Sequence, residues 1–333
     1  MNAPLSPPPT FTVCICTRNR VGYLGATIDA ASKQELPVGT FDVLVVDNGS
    51  TDGTADLVAS RSGTGMPVPV RYVREERAGL SRARNRAIAE ATSDVLVFLD
   101  DDAIPEPGWL AAVAAAFASA PDIDAVGGGI VPVFECGQPA ALPARVASLY
   151  SPQIHCRERG PVSYPHYPYG ANIAFRRSAF RRVGLFREDL GYCGDRLMPA
   201  EETELLLRIE KSGGKIHFDP RAIVRHLIPA SRTSRDYLRR RFLAMGQGQR
   251  ELEKTRRHDC EPWGGRDVLR ALFDGVREYR AAAVAIRSLR RATDRDSFDR
   301  ELQAWVQKGQ ALSVMREAGR RLGTRLRLRK GDR

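Results

Sequence analysis

The chain has 333 residues, 43% of them hydrophobic and 27% charged, with a formal net charge of +11. That length supports a large core in one big domain or two smaller ones, and the composition excludes a disordered or fibrous chain. No apolar run approaches the roughly 18 residues needed to span a bilayer. The opening MNAPLSPPPT lacks the basic start and apolar core of a secretory signal, so residues 1–10 are expected to be a flexible leader.

Phe11–Cys16 is an apolar, β-branched run that reads as a buried strand. The polar cluster Thr17–Arg20 follows it, then a helical pattern from Tyr23 to Gln34. Phe41–Val46 is a second strand, ending in Asp47-Asn48-Gly49-Ser50-Thr51-Asp52-Gly53. That cluster is a turn and a helix start in one, because Gly supplies unusual backbone angles and Ser, Thr or Asp can cap. A helix to Arg61, a strand Val68–Val73, a helix Leu80–Ala91 and a strand Val95–Leu99 complete the first half. Strands alternating with helices predict a Rossmann-like α/β sheet. Ligands bind past the carboxyl ends of the strands in such sheets. Three polar clusters fall there: Thr17–Arg20, Asp47–Asp52 and Asp100–Asp102.

The second half is less regular. Trp109–Ser119 is a helix and Ala125–Phe134 a glycine-rich strand, while Ala141–Pro168 reads as an irregular loop over a site. Ile173–Phe175 is a short strand, and a helix starts near Arg177. Glu201–Ser212 is a helix with an apolar stripe at Leu205, Leu206, Leu207 and Ile209. Lys215–Phe218 and Ala222–His226 read as two short strands, and everything from Ser234 onward as basic helix. The cysteines (Cys14, Cys16, Cys136, Cys156, Cys193 and Cys260) form no CxxC pair, which suits a reducing cytoplasm. Cys14 and Cys16 share one strand face, as packing residues do.

The chemistry concentrates in a few places. Asp100-Asp101-Asp102 crowds three carboxylates that repel unless a cation or hydrogen-bond donors compensate. Oxygen ligation shared with a diphosphate fits Mg²⁺ or Mn²⁺, while the same run would equally serve as an acidic turn ahead of Pro105 and Pro107. Asp47 suits a base edge, a ribose hydroxyl or a helix cap. Glu201-Glu202 opens a helix, where the dipole favours carboxylates and where a general base would also sit. The preceding Gly191–Arg196 is a loop that could order on substrate binding. His226 is either a packing residue or a metal ligand. Arg82, Arg84 and Arg86 start a helix and suit either phosphate or a basic surface.

Taken in order, TVCICTRNR, VLVVDNGSTDGT, RAGLSRARNRAI, VLVFLDDDAIPEPGWL, GANIAFRRSAFRRVGLF and AEETELLLRIEKSGGKIHFDPRAIVRH resemble the inverting glycosyltransferases of family 2. The resemblance covers Phe11 to Ser231, with weaker similarity through YLRRRFLAMGQG. It implies a GT-A fold, a Rossmann-like mixed sheet flanked by helices, with a C-terminal helical extension. Residues 11–232 would be the catalytic domain, 11–105 its nucleotide-binding half and 106–232 its acceptor half; 233–333 would be the basic helical extension. Carried over by position, Thr17 (with Arg18 beside it) and Asp47 hold the nucleotide base, and Arg84 approaches the nucleotide. Asp100-Asp101-Asp102 matches the DxD element, with Asp102 as metal ligand and Asp100 and Asp101 toward ribose and sugar. Gly170 and Asn172 line the donor-sugar and acceptor cleft, and His226 adds a metal ligand. Glu202 matches the catalytic base, where Asp is usual, and the choice between Glu201 and Glu202 stays open.

The implied partners are a nucleotide-diphosphate sugar and a saccharide or lipid-linked saccharide acceptor, with Mn²⁺ or Mg²⁺ as cofactor. The mixed apolar and basic helices at Arg239–Arg241 and Ala271–Ala292 suit packing on the catalytic core first, and otherwise a cytoplasmic protein in peripheral contact with the inner face of an anionic membrane. The tail from Arg316 to Arg333 carries Arg320, Arg321, Arg325, Arg327, Arg329 and Lys330 against Glu317 and Asp332. It suits phosphates or simple solvation. Three rivals are weaker. An NAD(P) oxidoreductase wants GxGxxG where Thr-Arg-Asn-Arg stands. A nucleotidyltransferase wants a Gly-rich, Lys-containing loop there. A nucleic-acid binder wants aromatic–basic interleaving on its strands, so no specific nucleic acid is expected.

Overall fold

A computed structural model describes residues 10–37, 39–63, 65–137, 143–150, 158–194, 196–256, 265–291 and 294–331. Residues 1–9 of the expected leader, Cys156 and Cys260, and the side chains of Arg325, Arg327, Arg329 and Lys330 lie outside the described residues. The chain divides into two units, the first holding residues 1–138, 148–194 and 201–229 and the second residues 139–147, 195–200 and 230–333.

In the first unit the expected alternation forms. β1 (Phe11–Thr17), α1 (Val21–Ser32), β2 (Phe41–Asp47), α2 (Thr54–Arg61), β3 (Val70–Arg74), α3 (Leu80–Glu90) and β4 (Val95–Asp100) follow one another. Next come β5 (Ala103–Pro105), α4 (Trp109–Ser119), β6 (Ile123–Phe134), α5 (Ala144–Tyr150), β7 (Gly160–Pro161), β8 (Asn172–Arg176) and α6 (Arg177–Val183). The remaining elements before the C-terminal helices are β9 (Gly191–Cys193), β10 (Arg196–Met198), α7 (Glu201–Lys211) and β11 (Lys215–Ile228). The main sheet runs β3-β2-β1-β4-β8-β6-β11-β5, with β7 also on β11. β3, β2, β1 and β4 are parallel, while β8 is antiparallel to both β4 and β6. The sheet is therefore mixed.

Three details depart from the sequence expectation. The two short strands expected at Lys215–Phe218 and Ala222–His226 are one strand, β11, which keeps its ladder with β6 across a register shift between Asp219 and Val224. The three-residue β5 was not expected, and its antiparallel ladder sets His226 opposite Ala103. The segment expected to be irregular from Ala141 to Pro168 includes the helix α5 and β7 among its described residues.

Strand alternation divides the core. Val13 and Ile15 of β1, Val43 and Val45 of β2, and Val95, Val97 and Leu99 of β4 pack with Leu24, Ile28, Val58, Trp109 and Phe117 of α1, α2 and α4. The intervening residues face the other way, where Phe98, Phe175, Phe180 and Phe186 form an edge-to-face aromatic cluster. Asn172 ties the layers together. Its side-chain amide donates to the carbonyls of Gly129 and Ala222 at 3.0 and 2.8 Å, and its oxygen accepts from Trp109 Nε1 at 2.8 Å.

The second unit holds α8 (Arg235–Arg256), α9 (Gly265–Leu289) and α10 (Arg295–Gly331). α8 and α10 approach backbone to backbone. A Cβ on Gly246 would fall 2.0 Å from the Val306 carbonyl oxygen, and one on Gly309 2.0 Å from that of Leu243. Beside this crossing Glu301 is fully buried, paired with Arg239 at 2.7 Å and accepting from Trp305 Nε1 at 3.2 Å. Among the described residues, no helix is long and apolar enough to cross a membrane.

Candidate active site

The period of two along β4 decides what each aspartate does. Asp101 turns to the α1 side of the sheet, where Thr17 Oγ1 donates to it at 2.7 Å and Arg20 Nε pairs with it at 2.8 Å. Asp100 turns to the other side, 3.7 Å from Arg84 Nη2. Asp102 lies past the strand end, and its backbone carbonyl accepts from Leu227 N of β11 at 2.8 Å. The β5–β11 ladder thereby places His226 Nε2 3.1 Å from Asp102 Oδ1. That nitrogen is buried, and its alignment toward Asp102 leaves it without a hydrogen-bond partner. One ligand atom each from Asp100, Asp102 and His226 lies within 4.8 Å of the others. Two carboxylates plus an unsatisfied imidazole nitrogen make a donor set that fits a divalent cation with mixed oxygen and nitrogen ligation.

Arg20 bridges the acidic run, since its Nη2 also reaches Asp102 Oδ2 at 2.5 Å. The guanidinium lies 4.6 Å above the Tyr23 ring. Burial pushes the Asp101 carboxyl up to about 7, with Asp102 adding to the rise and Arg20 and Thr17 opposing it. Below its ordinary value of 3.8 the group holds its proton folded and unfolded alike. Between 3.8 and about 7 only the folded chain keeps that proton, so the folded state loses stability as pH rises through this window. In metal-free protein, Asp101→Asn is therefore expected to match the wild type near pH 4 and to gain on it toward pH 7. Paired urea melts at several pH values measure the difference, and a gap that shrinks as pH rises would contradict the assignment.

Across the site stands Arg84, buried on α3 between the rings of Phe98 and Phe186, at 6.0 and 5.5 Å. Its Nη1 donates to Glu201 Oε1 at 3.0 Å and its Nη2 to the Gly170 carbonyl at 3.4 Å. Burial works against the charge, but Glu201, then Asp100 and Glu202, outweigh it and raise the Arg84 pKa. A Cβ at Gly170 would come 2.5 Å from Arg84 Nη2, so a larger residue there would have to push the guanidinium aside. Glu201 is buried in this pair, whereas the neighbouring Glu202 is half-buried. One arginine thus links Asp100, a member of the Asp100–Asp102–His226 cluster, to the acidic start of α7.

The first two strand ends form a separate cradle. Asp47 is fully buried, its Oδ1 accepting from Ser50 N at 2.7 Å and its Oδ2 from Tyr72 Oη at 2.7 Å and Arg74 Nη1 at 3.3 Å. Arg18 is exposed and donates to the Asn48 carbonyl at 3.1 Å. Asn19, in the left-handed region at φ 52°, accepts from Thr51 N and donates its own N–H to Ser50 Oγ, which stitches the two loops together.

Residues 12–184 match the model of glycosyl transferase family 2. The chain belongs to glycosyl transferase family 2. It is 31% identical over 248 residues to a glucosyl-dolichyl phosphate glucuronosyltransferase of Haloferax volcanii, covering 73% of this chain and 77% of that one. It is 25% identical over 286 residues to the succinoglycan biosynthesis protein ExoM of Rhizobium meliloti, covering 85% and 86%. Its fold is that of the mannosyltransferase PcManGT from Pyrobaculum calidifontis, a structure in complex with GDP-Man and Mn²⁺, with a TM-score of 0.55 at 21% identity over 96% of this chain and 80% of that one.

The family 2 enzyme thus has the GT-A fold, and the expected residues gather in three places. Asp100, Asp102 and His226 meet at one point, Glu201 and Arg84 pair beside them, and Thr17, Arg18 and Asp47 line the ends of β1 and β2. Asn172 stays in the sheet, with its side-chain groups bonded to protein. Three residues at the site were not singled out from sequence: Arg20, Tyr72 and Arg74. Arg20 lies within the TRNR cluster, and its spacing from Thr17 was the available signal. Tyr72 and Arg74 carried none, because only the β2–β3 ladder brings them to Asp47.

Proposed function

We propose that the chain moves a sugar from a nucleotide-diphosphate sugar to an acceptor hydroxyl with inversion, in a metal-dependent reaction of glycoconjugate or polysaccharide biosynthesis. The observation that carries the reading is the convergence of Asp100, Asp102 and the unsatisfied His226 nitrogen, with Arg84 connecting Asp100 to Glu201 beside Glu202. The lipid-linked and polysaccharide chemistry in the relatives' names supports a saccharide or lipid-linked saccharide acceptor.

In this reading residues 11–232 are the catalytic domain and 233–333 a basic extension. Thr17, Arg18 and Asp47 serve the nucleotide. A base edge that reaches the Asp47 carboxylate must displace Tyr72 or Arg74 from it. Asp100 and Gly170 face the donor sugar, with Arg84 holding both in place and Asn172 fixing the start of β8 next to Gly170. Asp102 and His226 hold the cation, and the imidazole favours Mn²⁺ over Mg²⁺, which prefers oxygen alone. A bound divalent cation would neutralise charge on the departing diphosphate. Glu202 takes the proton from the acceptor hydroxyl as it attacks the anomeric carbon from the face opposite the leaving group. Glu201 is held by Arg84 and keeps the helix start in place. The setting is the cytoplasm, with peripheral contact to an anionic membrane.

The test uses water as a surrogate acceptor. Nucleotide sugars are incubated with the full chain, with and without Mn²⁺, and slow hydrolysis is followed by proton NMR. The first free sugar should be the anomer opposite to that of the donor and should depend on the metal. Release of the donor's own anomer, or an unchanged rate in chelator, contradicts the reading.

A further inference from the structure

α9 has two faces of opposite character. Val268, Gly275, Ala282 and Ile286 are buried, and a Cβ on Gly275 would meet Met315 of α10 at 2.8 Å. Half a turn away lie Leu269, Phe273 and Val284, which are 47%, 72% and 65% exposed. Exposed Arg270, Arg277, Arg280 and Arg287 follow the same three-and-four spacing, so they share that face. Arg270 and Arg277 reach Asp274 on the flank, at 3.9 and 3.1 Å. Among the described residues, Arg280 and Arg287 have no carboxylate in ion-pair range. With 25 residues α9 is about 37 Å long, so this is a straight stripe rather than a pocket.

We propose that this face of α9 is a docking surface for an anionic lipid bilayer, with Phe273, Leu269 and Val284 entering the headgroup boundary and the arginines pairing with lipid phosphates. The inference rests on the peripheral membrane contact proposed above and names the surface that makes it; it uses no residue of the catalytic unit, so its failure would leave the transfer reaction standing. Three exposed apolar side chains in line with arginines are what a helix lying in a membrane interface needs. A nucleic acid would use the arginines and Phe273, but Leu269 and Val284 offer it no ring on which a base can stack. A second copy meeting this face would oppose arginine to arginine.

The experiment sediments the full chain with vesicles of phosphatidylcholine alone or with phosphatidylglycerol added. Wild type should pellet with the anionic vesicles only, and high salt should weaken the binding. Arg277→Glu with Arg280→Glu should lower the partition coefficient at least about tenfold, and Phe273→Ser with Val284→Ser should lower it roughly tenfold as well. All four positions are exposed, so melting temperature and Mn²⁺-dependent donor hydrolysis should stay unchanged in both double variants. The proposal is overturned if the variants pellet like wild type. It is also overturned if wild type ignores vesicles while binding an RNA homopolymer, or if it forms a dimer that these variants break.

Discussion

Glu202→Gln is expected to lower turnover by roughly 10²–10⁴-fold while leaving nucleotide-sugar affinity within a few-fold of wild type. Gln keeps the shape and hydrogen-bonding reach of Glu but cannot take a proton at neutral pH, so the loss falls on kcat and spares donor binding. The neighbouring Glu201 should behave differently. It is buried against Arg84 at 3.0 Å, and Glu201→Gln leaves that guanidinium with an uncharged partner. Its main effect should be a stability loss of about 1–3 kcal/mol, read by thermal melting. If Glu201→Gln collapses turnover with stability intact, and Glu202→Gln does not, the base is the other carboxylate. Glu202→Asp separates reach from charge, because it shortens the side chain by one methylene and keeps the carboxylate: it should retain more activity than Glu202→Gln.

Asp102→Ala is the second large effect, with a turnover loss of roughly 10²–10³-fold or more. The substitution removes the carboxylate that faces His226 Nε2 and also frees Arg20 from one of its two partners. Asp101→Asn is the informative contrast, because Asp101 faces Thr17 and Arg20 on the opposite side of the sheet from Asp100. It should keep metal binding, so two adjacent aspartates are predicted to have separable roles. His226→Ala should fall between them, removing one ligand atom while leaving both carboxylates in place.

The order of strands and helices was readable from sequence because each buried strand is a short β-branched run closed by polar turn residues, as in Phe11–Thr17 and Phe41–Asp47. The acidic run was readable too, as was its position past a strand end. How its members divide follows from the same period of two, once the sheet has helices on both sides to receive Asp100 and Asp101. The placement of His226 needed more. A three-residue strand such as β5 has too short a pattern to be read, yet its ladder closes 124 residues of separation between Asp102 and His226. The commitment of Glu201 to Arg84 depends on α3 and α7 starting at the same end of the sheet, which no local pattern encodes. The position of Arg20 in the Thr17–Arg20 cluster was legible, but its partners were not: Asp101 and Asp102 lie just past β4, and only the pairing of β1 with β4 brings them within reach.

The central claim is that Asp102 and His226, with Asp100 beside them, form the cation site that receives the donor's diphosphate. Calorimetric titration of Mn²⁺ into the full chain, with UDP or GDP present, tests it most directly. The account predicts saturable one-to-one binding in the wild type, lost in Asp102→Ala and retained in Asp101→Asn, with both variants folded by circular dichroism. Equal Mn²⁺ binding by wild type and Asp102→Ala would contradict it.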